Sequence, residues 1–163
     1  MNLLGDLKRR ADVLMESRPH DFTIGPAADP YMLRWHIARS RVFGGCYLHH
    51  FLRSDDDRAL HDHPWPSLSL LLDGVVQELY APRGTDPSDR MAHRGRVMRP
   101  GSLVYRRARF AHRVCLVTPT ATTLFLIGPE VREWGFWCPQ GWRRWQDYVL
   151  QRAGGNERGG GCG

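Results

Sequence analysis

Lysine is almost missing from this sequence. Lys8 is the only one among 163 residues, so 22 of the 23 basic side chains are arginine. The formal charge of +6 is therefore carried by planar guanidinium forks, which suit carboxylate or phosphate contacts and aromatic stacking better than an ammonium does. Long apolar runs are also missing: nothing approaches the ~20 residues of a membrane span. The start, Met1-Asn-Leu-Leu-Gly-Asp-Leu-Lys-Arg-Arg10, puts charge where a secretory leader carries its apolar stretch. Cysteine is sparse and scattered, at Cys46, Cys115, Cys138 and Cys162, with no Cys-x-x-Cys. That excludes a zinc-finger spacing and a dense disulfide framework. The expectation is a cytoplasmic protein without membrane contact whose thiols are reduced packing groups, with Cys162, out in the tail, the one left open.

What is present is enough apolar residue, 42%, for one globular unit with a real core. Arginines crowd one stretch, at positions 94, 96, 99, 106, 107, 109 and 113. They read either as a solvated face or as an anion-binding wall inside a pocket. Nucleic acid ranks third among the partners, because no nucleic-acid motif accompanies the charge.

Leu3, Leu7, Ala11 and Leu14 recur at helical spacing, which predicts a short amphipathic helix from Asn2 to about Glu16. From Pro30 the texture becomes β. Runs at 31–38, 45–53, 60–63, 67–72, 74–81, 102–107, 112–118, 122–127 and 131–137 are separated by turn residues, the pattern of an antiparallel sandwich or barrel. Asp73-Gly74 is the clearest hairpin signal, and 82–95 reads as a polar surface excursion. Trp142, Trp145 and Val149 share a helical face. The expected organisation is a helix and lead-in over 1–29, a β-barrel over 30–139, a C-terminal helix over 140–153 and a disordered Gly-rich tail over 154–163.

Three of the eight histidines carry the chemistry. In His61-Asp62-His63, read on a strand, the period-two alternation puts both imidazoles on one face, where they can chelate one metal ion. Pro64 favours an extended His63. Asp62 points the other way, toward an arginine partner.

The surroundings of this pair resemble the cupin superfamily, whose motifs read Gly-x5-His-x-His-x3,4-Glu-x6-Gly and Gly-x5-Pro-x-Gly-x2-His-x3-Asn. His61 and His63 take the two histidine positions, Gly74 the closing glycine, Gly101 the second opening glycine and His112 the third histidine. The glutamate position falls on Ser67 or Leu68, the Pro and Gly on Arg107 and Arg109, the Asn on Leu116 and the first Gly on Asp55. Phe51-Leu-Arg-Ser-Asp-Asp-Asp57, His61-Asp-His-Pro-Trp65 and Trp134-Gly-Phe-Trp137 also resemble a smaller bacterial and phage group of cupin-like proteins.

The resemblance implies an all-β, cupin-type jelly-roll barrel with short terminal helices, holding one divalent transition metal on His61, His63 and His112. With no glutamate in its usual slot, the shell is three neutral imidazoles. That resembles the thiol dioxygenase branch and favours Fe(II), although imidazole also suits zinc, nickel and copper. The site charge near +2 favours an anionic substrate, with Arg107 and Arg109 to hold it and Tyr105 and Ser67 beside them. Glu78 is the candidate fourth ligand, against the alternative of an outward salt bridge. His49 is the candidate partner behind the ligands, against a purely structural role. The leading activity is a three-histidine oxygenase acting on a small anionic molecule, with no general base identified. The alternatives are a non-catalytic small-molecule or sugar-binding module and a sugar-type isomerase or epimerase. Cupins commonly dimerise, so a homodimer is compatible with the resemblance.

Overall fold

The period-two patterning folds into two antiparallel sheets of six strands each. The structure, a computed structural model, describes residues 2–40, 42, 44–55, 59–148, 151–152, 155–156 and 162. The first sheet runs β1 (Phe22–Ile24), β2 (Met32–Ser40), β3 (Gly44–Phe51), β10 (Ala121–Ile127), β5 (Ser67–Asp73), β8 (Leu103–Arg106). The second runs β12 (Gly141–Arg144), β11 (Gly135–Cys138), β4 (Leu60–His61), β9 (His112–Leu116), β6 (Val76–Tyr80), β7 (Arg94–Met98). From β3 onward the chain passes back and forth between the sheets, the jelly-roll pattern in which two inner faces enclose one interior.

Alternation decides which side chains enter that interior. On the first sheet Leu33, Trp35, Leu48, Leu70, Leu72 and Leu124 face outward, and the helix α1 (Leu3–Ser17) covers them with Leu4, Leu7, Ala11 and Leu14. Leu3 stays in solvent, so the apolar stripe begins one residue later than the sequence spacing suggests. Asn2 caps the helix by accepting from Gly5 N. The opposite parity, including Met32, Arg34, His49, Phe51, Ser69, Thr123 and Phe125, lines the interior.

Several sequence expectations change. Asp73-Gly74 is a turn but not a hairpin, because β5 and β6 lie in opposite sheets. Gly74 has φ +82°, and a Cβ there would sit 2.4 Å from the Thr120 carbonyl oxygen, so the crossing needs glycine. Among the described residues, the helix expected over 140–153 is instead strand β12 followed by one helical turn, α2 (Trp145–Tyr148), while Val149 lies outside the described residues. Pro139-Gln140-Gly141, with Gly141 at φ +114°, turns the chain back so that Trp142 pairs with Trp137. Strands β1, β7 and β12 are additions, and β7 occupies the end of the expected surface excursion. A disulfide joins Cys138 to Cys162, which overturns the expectation of a reduced packing thiol at Cys138, while Cys46 and Cys115 are free. Two further strands, β13 (Gln151–Arg152) and β14 (Gly155–Asn156), pair with each other. The remainder of the expected disordered tail, apart from Cys162, lies outside the described residues. No described helix is long and apolar enough to cross a membrane.

Candidate metal centre

β4 and β9 are neighbours, with His61 directly opposite His112 in the register. His63 lies just past the end of β4, where its backbone N–H donates to the Ala108 carbonyl. The three rings form a triangle with every pair of centroids 5.1 Å apart, and one nitrogen from each lies within 4.8 Å of the others. His63 Nε2 and His112 Nε2 are 2.9 Å apart. That is about the spacing of two nitrogens at right angles on one ion with bonds of ~2.1 Å. Burial holds His63 well below the ordinary histidine value, and the neighbouring imidazoles push the same way. Burial lowers His112 to about 4, against the upward pull of Glu78. Both rings are thus neutral near pH 7, the form that ligates a metal.

Glu78 supplies the carboxylate behind the triangle. On β6 it shares the inward parity of Val76, and it is 0% exposed, so its carboxylate goes inward, not outward as the alternative expectation had it. Its Oε1 stands 2.7 Å from His112 Nδ1, an off-line approach, and 2.6 Å from Arg106 Nε. Arg96 holds Oε2. Burial acts to raise the Glu78 carboxyl, but the His112 contact and the two arginines outweigh it and hold it at about 2. A carboxylate so engaged serves as partner to His112. With the ring proton on Nδ1, toward this carboxylate, the Nε2 lone pair is directed at the other two histidines, the arrangement that orients metal-bound histidines generally. No carboxylate joins the three imidazoles among the described residues.

The donor set therefore fits a divalent transition metal: three imidazoles converge, and a buried carboxylate stands behind one of them. Trp134 lies parallel to His63 at 6.5 Å. Asp55 Oδ2 stands 3.9 Å from His61 Nδ1 and accepts from Val114 N. Asp62 points away, as its position between the two histidines implies. It is fully buried, pairs with Arg132 at 2.8 Å and accepts from Gly135 N and Trp142 Nε1.

These histidines open onto a cavity of about 660 Å³, within the range of small-molecule sites. Its wall is largely apolar, with Phe22, Met32, Phe51, Phe125, Trp134 and Phe136 among the lining residues. The expected anion holders are not there. Arg107 and Arg109 lie past the end of β8, flanking the buried Ala108 in a turn closed by Phe110 N to Arg107 O, and both are exposed. Tyr105 has outward parity and is 64% exposed. Arg106, their neighbour of inward parity, is 3% exposed and paired with Glu78. Ser67 is buried with its hydroxyl unpartnered among the described residues, off the cavity wall. His49 is buried on that wall and accepts from Arg34 Nε at 2.9 Å. Burial, reinforced by Arg34, keeps it well below the ordinary histidine value. Sequence reasoning missed Arg34, Asp55 and the Arg106–Glu78 pair. The odd-even parity of the strands, once their limits are known, reveals Arg34, Glu78 and Arg106, whereas Asp55 lies past the end of β3, beyond the reach of parity.

No protein-family model and no curated protein sequence matches the chain. Solved structures do. An Fe(II) HppE structure with substrate matches at TM-score 0.51 and 11% identity, over 69% of this chain and 57% of that one. This chain thus spans little more than half the length of HppE. A putative mannose-6-phosphate isomerase from Ralstonia eutropha JMP134 matches at 0.50 and 16% identity, over 66% of this chain and 94% of that one. A cupin superfamily protein from Desulfitobacterium hafniense DCB-2 matches at 0.47 and 13% identity, over 61% and 78%. At such identities the likeness concerns the fold. Two facing antiparallel sheets with jelly-roll crossings, together with the likeness to the HppE structure, give the chain a cupin-type jelly-roll fold.

Proposed function

We propose that the chain is a mononuclear non-haem metalloprotein of the three-histidine type, an oxygenase acting on a small anionic molecule. The convergence of His61, His63 and His112 at the wall of a largely apolar cavity carries this reading. The Fe(II) named for the HppE structure supports iron, with zinc, nickel and copper as the competing occupants of an all-imidazole set. When bound, the metal supplies a Lewis acid with open positions for substrate and dioxygen.

The chain's own residues do the rest. Glu78 fixes the proton on His112 Nδ1, and Arg106 and Arg96 keep Glu78 ionised. Phe51, Phe125, Phe136 and Trp134 take the apolar body of the substrate and exclude water. Burial and then the adjoining Asp55 keep the Tyr31 phenol well above its ordinary value, so this wall residue stays a protonated donor.

The test is oxygen uptake by protein loaded with Fe(II), with a panel of small thiols and carboxylic acids, and with His61→Ala as control. Substrate-dependent uptake absent from H61A supports the proposal. A protein that binds acids but consumes no oxygen with any of them would be the non-catalytic binding module instead.

A further inference from the structure

The sequence offers 22 arginines, but the cavity is lined by only three among the described residues: Arg34, Arg53 and Arg106. Two are committed. Arg106 is bound to Glu78, and Arg53 reaches Asp29 at 3.3 Å. Arg34 contacts no carboxylate among the described residues. Its Nε donates to His49 Nε2, and its guanidinium lies over the Tyr47 ring, 5.1 Å from the centroid. Neither partner is a carboxylate, so they fix its position without compensating its charge. Arg34 and His49 are direct cross-strand partners of β2 and β3, on the interior parity. Arg34 and His49 line the same cavity as the three histidines of the triangle.

A half-buried guanidinium without a counter-ion is held at a cost in free energy that a bound anion would remove. Burial already lowers the Arg34 pKa. With Nε used by His49, no described contact takes the Nη1 and Nη2 edge, the planar fork that matches a carboxylate. Phe22, Ile24, Met32, Phe51 and Phe125 line the cavity with it. They call for an apolar body behind the charged end.

We infer that Arg34 is the anion-binding residue of the cavity, and that the ligand class is a monoanionic carboxylic acid with an apolar or aromatic body. This rests on reading the cavity as a small-acid site and names the residue and the chemistry that select the acid. It moves that role from Arg107 and Arg109, which face solvent, to an arginine on β2.

The experiment compares phenylacetate, 4-phenylbutyrate and octanoate with their neutral amides, by calorimetry on metal-free protein at pH 7.5. The expected result is that at least one acid binds roughly tenfold or more tighter than its amide, as a charge-assisted contact requires. Arg34→Met removes that preference while leaving amide affinity within about threefold. Arg34→Lys, which keeps charge but not the fork, retains part of it, and Arg107→Gln retains all of it. If R34M does not fold, R34K and the acid–amide comparison in wild type decide the matter. Equal affinity for acid and amide, no binding by any acid, or a preference that survives R34M would overturn the inference. A preference present without metal and lost in R34M stands whatever metal analysis of the triangle gives. One that appears only with Fe(II) and is unchanged in R34M assigns the anion to the imidazoles and overturns it.

Discussion

Replacing Glu78 by glutamine tests the buried charge network behind the metal centre. The change keeps size and some hydrogen bonding but removes a charge that faces Arg106, Arg96 and His112 at 0% exposure. A carboxyl lowered from 4.5 to about 2 is favoured in its ionised form by about 3 kcal/mol, at ~1.4 kcal/mol per unit. That figure already contains the opposing burial penalty, and it matches the ~3–5 kcal/mol for breaking a buried pair from one side. Urea unfolding of metal-free E78Q at pH 7.5 should therefore show a loss of about 3 kcal/mol. Metal affinity should fall by about 10–100-fold, because His112 loses the group that fixes its tautomer. Arg106→Met with E78Q should recover part of the stability by removing the orphaned guanidinium, without recovering metal affinity. A variant within ~0.5 kcal/mol of wild type, or one binding metal as tightly, would refute the argument that Glu78 is an ionised partner of His112.

Three further expectations follow from the same structure. Because His112 is lowered to about 4, the unfolded chain binds more protons than the folded one between pH 6.5 and 4. Metal-free protein should then lose about 3 kcal/mol from this residue over that interval, with a further loss as Glu78 is protonated from 4.5 toward about 2. Stability flat from pH 7 to 4 in chemical denaturation would contradict it. The exposed pair Arg107→Gln and Arg109→Gln should change stability by less than ~0.5 kcal/mol and leave metal content unaltered, whereas Arg106→Gln should behave like E78Q. Thiol titration of denatured protein should count two free thiols without reductant and four with it, since Cys138 and Cys162 are joined. Four free thiols in unreduced protein would exclude the bond.

Much of the barrel was legible because its strands are interrupted by turn residues that leave a readable period of two. The clustering of the three histidines was legible because strand parity puts His61 and His63 near the same face and the second motif places His112 opposite them. Arg107 and Arg109 were misplaced because parity needs the end of the strand: β8 stops at Arg106, and the turn that follows turns both outward. The C-terminal segment misled in another way. Trp142 and Trp145 fit a helical spacing, but Gly141 turns Trp142 onto β11, and the helix begins only at Trp145. Strand β7, with Arg94 and Arg96 at the sheet edge, carries the charge by which edges avoid further pairing, so it looked like loop. Arg34 carried no local signal. Its importance arises from the absence of an acid beside it, a property of the assembled interior.

The most direct test of the central claim is elemental analysis of protein purified without a histidine tag and reloaded with Fe(II), in wild type and in His61→Ala, His63→Ala and His112→Ala. Near one metal ion per chain in wild type, lost in each variant while circular dichroism shows the sheets intact, is the predicted result. Failure of wild type to retain any transition metal, or full retention after loss of one of these imidazoles, would contradict a three-histidine metal centre.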